Sequence, residues 1–188
     1  ATADGDIAEA AMVALKSNGE IETCEALQAG VAFGSASSPN GEEIENATTY
    51  YLACAFEPDT NKLAVGYRDS GNSNYPTIAI GDIDNASTGA LDFGTPTVCE
   101  SVAANYQANS LVYDTNVNRF LYVYTTSAGI RTVTFCVNNT TTHTITQGSA
   151  QSINDSQRSS IAVFDSANNK VIIMFEDDGN SNHLSMVG

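Results

Sequence analysis

The chain's stock of groups for acid–base or metal chemistry is two histidines, His143 and His183, and 22 acidic residues. His143 stands in the Thr-rich stretch Thr140-Thr141-Thr142-His143-Thr144, and His183 follows an Asn/Ser-rich loop. Nucleophilic catalysis needs a base oriented by an acid next to a marked nucleophile, and the chain contains no Gly-x-Ser-x-Gly turn. Glycoside hydrolysis needs two carboxylates converging on one bond. Glu176-Asp177-Asp178 are adjacent in sequence, and neighbours on a strand point to opposite faces, while Glu42-Glu43 is expected in a loop. No catalytic residue is therefore assigned, and the chain is expected not to be an enzyme.

Cation binding would draw on Asp69, Asp177 and Asp178, in Asp69-Ser70-Gly71-Asn72-Ser73-Asn74 and Asp177-Asp178-Gly179-Asn180-Ser181-Asn182. An EF-hand-type calcium loop alternates oxygen ligands and closes with a Glu. Both stretches lack that Glu, so they are expected to be hydrogen-bonded turns, with Ca2+ as the alternative and no other cofactor. The four cysteines, Cys24, Cys54, Cys99 and Cys136, contain no Cys-x-x-Cys pair, which removes zinc-ribbon and thioredoxin-like readings. Cys54 and Cys136 sit in strand-like runs, where a reduced Cys acts as a small buried hydrophobe. The alternative is one or two disulfides in any of three connectivities.

Net charge narrows the partners. Seven basic against 22 acidic residues give −15. Nucleic acid is bound mainly by basic residues that displace counterions, and an anionic membrane surface repels so acidic a chain. No apolar run approaches the ~20 residues of a membrane helix. The 188 residues suffice for one domain with a core or a few repeated units.

Repetition determines how these residues are positioned. Phe56, Tyr113 and Phe164 are each followed by an acid, and five and six residues on by Asn-Lys or Asn-Arg, which makes Lys62, Arg119 and Lys170 equivalent. The anchors are spaced 57 and 51 residues apart, and the two Asp/Gly/Asn/Ser loops share the 108-residue offset of the outer anchors. The middle unit has Thr126-Ser127-Ala128-Gly129 in place of the polar loop. The aromatic should end one strand, the acid open a polar turn, and the basic residue open the next strand, with acid and base able to pair across the hairpin. Third strands are expected at Thr77–Gly81, Thr132–Val137 and His183–Val187, and fourth strands through Leu91–Pro96 and His143–Thr146.

The expected fold is all-β: repeated antiparallel four-stranded units, β-propeller-like or packed as stacked sheets, because an isolated repeat cannot bury its apolar face. Residues 1–30 form an N-terminal strand segment, with a third-strand counterpart in Ala11–Lys16, able to close the array or reach another subunit. Residues 31–188 hold three units at about 31–83, 91–137 and 143–188, and Val31–Gly34 is a fourth-strand counterpart.

The run Phe56-Glu57-Pro58-Asp59-Thr60-Asn61-Lys62-Leu63-Ala64-Val65-Gly66-Tyr67-Arg68-Asp69-Ser70-Gly71-Asn72-Ser73-Asn74-Tyr75, with Leu91-Asp92-Phe93-Gly94-Thr95-Pro96-Thr97-Val98 after it, resembles a repeat of virion surface and tail-fibre-like proteins of marine bacterial and algal viruses. The resemblance covers about residues 31–188. It implies a phage-type virion structural protein, extracellular and non-enzymatic, serving as a tail fibre or capsid decoration in host attachment. The implied partners are other virion subunits or copies of the chain. On a rigid β frame, exposed loops are the usual recognition elements. For a cell-surface glycan the candidate contacts are Asn72, Asn74, Tyr75, Tyr106, Asn180 and Asn182, the tyrosines as stacking platforms. A purely structural filament or decoration subunit, and a carbohydrate-active enzyme with a propeller-like fold, are the rival readings.

Overall fold

Period-two alternation of apolar and polar residues makes strands, and strands dominate the computed structural model of the chain, which describes residues 13–15, 21–23, 43–85, 90–105, 109–156 and 158–188. β1 (Val13–Leu15) and β2 (Ile21–Thr23) form an antiparallel hairpin within one unit, Ala1–Ser35. The second unit, Ala36–Gly188, carries three antiparallel sheets. The first consists of β3 (Thr49–Glu57), β4 (Lys62–Asp69), β5 (Tyr75–Asn85) and β6 (Ala90–Phe93), with β7 (Thr97–Val98) also on β5. The second consists of β8 (Ser110–Asp114), β9 (Arg119–Thr126), β10 (Gly129–Asn139) and β11 (Thr144–Gln147), with β12 (Gln151–Asn154) also on β10. The third has three strands, β13 (Ser160–Asp165), β14 (Lys170–Asp177) and β15 (His183–Val187). Among the described residues the only helical element is a 3-10 turn, Asp178–Asn180, and no sheet closes on itself. The chain is thus all-β, built from antiparallel sheets. The expected strand in Ala11–Lys16 is described over β1; its partner β2 was not foreseen, and Val31–Gly34 lies outside the described residues.

The repeated turn has one construction. In each hairpin the register sets acid opposite base: Glu57 with Lys62, Asp114 with Arg119, Asp165 with Lys170. The residue before the base is Asn61, Asn118 or Asn169, at φ 60, 52 and 53°, in the left-handed region that Asn tolerates better than most residues. The expected acid–base pairing across the turn does not form among the described residues. Asp114 Oδ1 instead accepts from the amides of Asn116 (2.8 Å) and Val117 (3.3 Å), and Asp165 Oδ1 from those of Ala167 (3.0 Å) and Asn168 (3.2 Å). Glu57 Oε1 accepts from the Thr60 amide at 2.8 Å. Turn amides two or three residues on are within immediate reach, and at the Asp114 and Asp165 turns a solvent-facing ion pair would gain only about 0–1 kcal/mol; buried Lys62 donates to Asp82 instead.

The sheets pack face to face in chain order. Along β9, Phe120, Tyr122 and Tyr124 join Ala64, Ile78 and Ile80 of the first sheet in one core cluster. The opposite face of β9, with Leu121 and Val123, joins Ala162, Ile173 and Phe175 of the third sheet in another. The middle sheet is therefore covered on both faces, and its fully buried aromatics contribute about 1.5–3 kcal/mol each through burial. Phe120 and Phe135 stack with ring centroids 5.1 Å apart.

Which face of a sheet meets its neighbour decides which thiols are hidden. Cys54 is exposed, sharing an open strip of β3 with Leu52 and Phe56, and Cys136 is half-buried, so neither is the buried hydrophobe expected from its strand-like surroundings. The buried thiol is Cys99. All three are unbridged, and Cys24 lies outside the described residues.

Candidate functional site

The two polar loops share a length and a pair of left-handed residues, and differ in that the second begins with a 3-10 turn. Each has five residues between paired strand ends, Asp69 opposite Tyr75 and Asp177 opposite His183. Each carries two consecutive left-handed residues, Ser73 (57°) and Asn74 (64°) in the first, Ser181 (55°) and Asn182 (60°) in the second. In the first loop the Tyr75 amide donates to the Asn72 carbonyl at 3.0 Å, which makes Asn72–Tyr75 a type I′ turn of the kind that matches strand twist. Asp69 Oδ1 accepts from the amides of Gly71 (2.8 Å) and Asn72 (3.1 Å), and Asp177 Oδ1 from that of Gly179 (3.1 Å). Asp177 Oδ2 accepts from the Ser185 hydroxyl at 3.3 Å.

These bonds give the carboxylates of Asp69 and Asp177 a loop-building task. Among the described residues no group of three His, Cys, Asp or Glu side chains is placed to hold a metal ion. Asp178 is exposed within the 3-10 turn.

The candidate ligand residues divide by exposure. Asn72, Asn180 and Asn182 are exposed, while Asn74 and Tyr75 are half-buried. The Asn74 carbonyl accepts from the Ala104 amide at 2.9 Å, and Ala104 bridges to Thr126 at the end of β9. The first loop is thereby tied to the corner of the middle sheet where the short turn Ser127-Ala128 joins β9 to β10. From that corner Thr125 Oγ1 donates to the Arg158 carbonyl at 3.2 Å, and Ser156 Oγ donates to the Glu176 carbonyl at 2.6 Å. Connecting segments thus link the loop corner of the first sheet to the middle sheet, and the middle sheet to the loop end of β14. Tyr106 lies outside the described residues.

The opposite end of the sheets holds groups that sequence reasoning missed. Asn139 Oδ1 accepts from the amides of Thr141 (2.9 Å) and Thr142 (3.0 Å), and His143 takes the left-handed position at φ 53°. This is the same turn as in the hairpins, with His in place of Asn. His143 is buried, its Nε2 3.4 Å from Asp82 Oδ2 and 3.4 Å from Lys62 Nζ. Lys62, also buried, donates to Asp82. The Asp82 carboxyl is held below the ordinary carboxylate range, chiefly by the Lys62 hydrogen bond and against the effect of burial, with His143 adding to it. The loop closes on Gly94, where a Cβ would stand 2.7 Å from that of His143. The signal in the sequence was Asn139 four residues before His143, the hairpin-turn pattern at a different strand pair.

Beside this cluster, a cleft of ≈ 160 Å³ lies between the first two sheets, lined by Glu57, Asp59, Tyr113, Asn118, Cys136 and Thr140 among others. Burial, with the nearby carboxylates of Glu57 and Asp59, pushes the Tyr113 phenol up to about 12. Both oxygens of Glu57 accept from Thr60, which braces the turn. No protein-family model matches the chain, and no curated protein matches it significantly.

Proposed function

We propose that the chain is a non-enzymatic structural protein of a virion surface, a tail-fibre or capsid appendage. In this reading its sheets stack as successive blades of a propeller-like arc and hold paired polar loops toward host-surface glycans. The observation that carries the reading is the identical left-handed pair, Ser73/Asn74 and Ser181/Asn182, in loops of the first and third sheets. A conformation repeated at equivalent corners and braced by Asp69 and Asp177 is pre-organised, and pre-organisation lowers the ordering cost of binding. The motif's resemblance to virion repeats supports the location, and packing of the three sheets in chain order supports the blade-like arrangement. Asn72 and Asn180 would supply exposed amides for sugar hydroxyls.

The test is a glycan array probed with the wild-type chain and with the Asn72→Ala/Asn180→Ala variant. Saturable binding by wild type, lost in the variant while thermal unfolding is unchanged, supports the glycan role. Absence of wild-type binding, or equal binding by both proteins, overturns it.

A further inference from the structure

The third sheet has a side that the stack leaves uncovered. Pairing sets Ile161 beside Met174 and Met174 beside Met186, and sets Val163 beside Ile172 and Glu176 beside Leu184. These side chains share one face, opposite the face carrying Ala162, Ile173 and Phe175 that packs on the middle sheet. Ile161 is 58% exposed, Val163 46%, Leu184 73% and Met186 67%. In the first two sheets the equivalent face is what the next sheet covers: Ala55 and Ala64 pack against the second sheet, and Val112 and Leu121 against the third. Among the described residues of this unit no sheet follows the third, which thus repeats a packing surface that none of them covers, and a contiguous apolar patch of this kind marks an association site.

The central strand of this face is self-complementary in charge. Along β14 the outward residues run Lys170, Ile172, Met174, Glu176. Reversing the strand gives Glu176, Met174, Ile172, Lys170, so two such rows laid antiparallel put Lys170 against Glu176 at both ends with apolar residues between. We propose that a second copy of this chain covers the face, through a twofold axis in the interface plane crossing β14 near Ile173. The row Ile161–Met174–Met186 then lies over the partner's Val163 and the partner's Ile172. Such an isologous contact closes on itself and covers the face with a fourth sheet, set like face to like face. It is independent of what the polar loops bind.

The test is sedimentation equilibrium of the full chain over a concentration series. Wild type is expected to reach twice the 19.7 kDa chain mass. Lys170→Glu alone and Glu176→Lys alone each place like charges opposite one another, and each is expected to weaken dimerisation about tenfold or more. The double exchange Lys170→Glu/Glu176→Lys should restore it. Met174→Lys should give a monomer with unchanged circular dichroism. A wild type that stays monomeric at all concentrations overturns the proposal. So does a dimer indifferent to Met174→Lys, or single charge reversals that the double exchange fails to rescue.

Discussion

The ring of Tyr122 on the middle sheet occupies the space that a side chain on Gly66 of the first sheet would need: a Cβ there would lie 2.5 Å from Tyr122 Cε2. Tyr122 cannot withdraw, because it is fully buried and its hydroxyl accepts from Asn109 Nδ2 at 2.6 Å. The missing side chain on β4 is what admits an aromatic from the next sheet.

Gly66→Ala should therefore cost about 1–3 kcal/mol by overpacking, measured by urea unfolding. In a Tyr122→Leu background the added methyl should cost less than in wild type, since the two sites are in contact and their effects will not add.

The left-handed Asn of each hairpin turn makes a second prediction. Asn169 is exposed at φ 53°. Asn169→Val should destabilise the chain by about 1–2 kcal/mol, because a branched side chain resists this backbone conformation. Asn169→Gly should be nearly neutral, and thermal melts of the two variants check the contrast.

The Lys62–Asp82 pair is pH-dependent in a defined direction. Asp82→Asn removes the carboxylate to which buried Lys62 donates and should cost about 3 kcal/mol at neutral pH. Because the folded-state pKa of Asp82 is depressed below its ordinary 3.8, its contribution is present above that value and is lost as pH falls through the folded-state pKa. The stability gap between wild type and variant should be constant near neutrality and shrink below about pH 4. Unfolding midpoints measured from pH 7 to pH 2 follow it.

Thiol labelling separates the cysteines. Exposed Cys54 should react with iodoacetamide in the native protein, half-buried Cys136 more slowly, and Cys99 only on unfolding. Burial pushes the Cys99 thiol well above its ordinary pKa, which suppresses the reactive thiolate. Peptide mass mapping of the labelled chain reads each site.

Local chemistry was the legible part of the fold. Aromatic–acid–x–x–x–Asn–Lys/Arg locates the restarts at Lys62, Arg119 and Lys170, because an Asn that tolerates positive φ is a local requirement. The strand ends, expected at Phe56, Tyr113 and Phe164, fall one residue later on Glu57, Asp114 and Asp165, because each acid still pairs in the ladder while accepting turn amides. The two polar loops were legible through the same kind of local requirement. Long-range choices were not. Lys62 finds Asp82, 20 residues away, rather than Glu57 across its own turn, because β5 runs on to Asn85, past the strand end expected at Gly81. The burial of Cys99 and exposure of Cys54 depend on which face of a sheet meets its neighbour, which alternation within one strand leaves open. The role of His143 needed the second sheet's turn to be set against Gly94 of the first.

The central claim is that the middle sheet is a spine, buried on both faces, that holds the loop-bearing sheets in fixed order. Native-state hydrogen exchange in dilute solution tests it directly. The paired amides of β9 should be among the slowest in the chain and exchange only through global unfolding, with those of β15 exchanging earlier through local opening. Amides of β9 that exchange as readily as those of β15, by local opening well below the global unfolding free energy, would contradict the stacked arrangement.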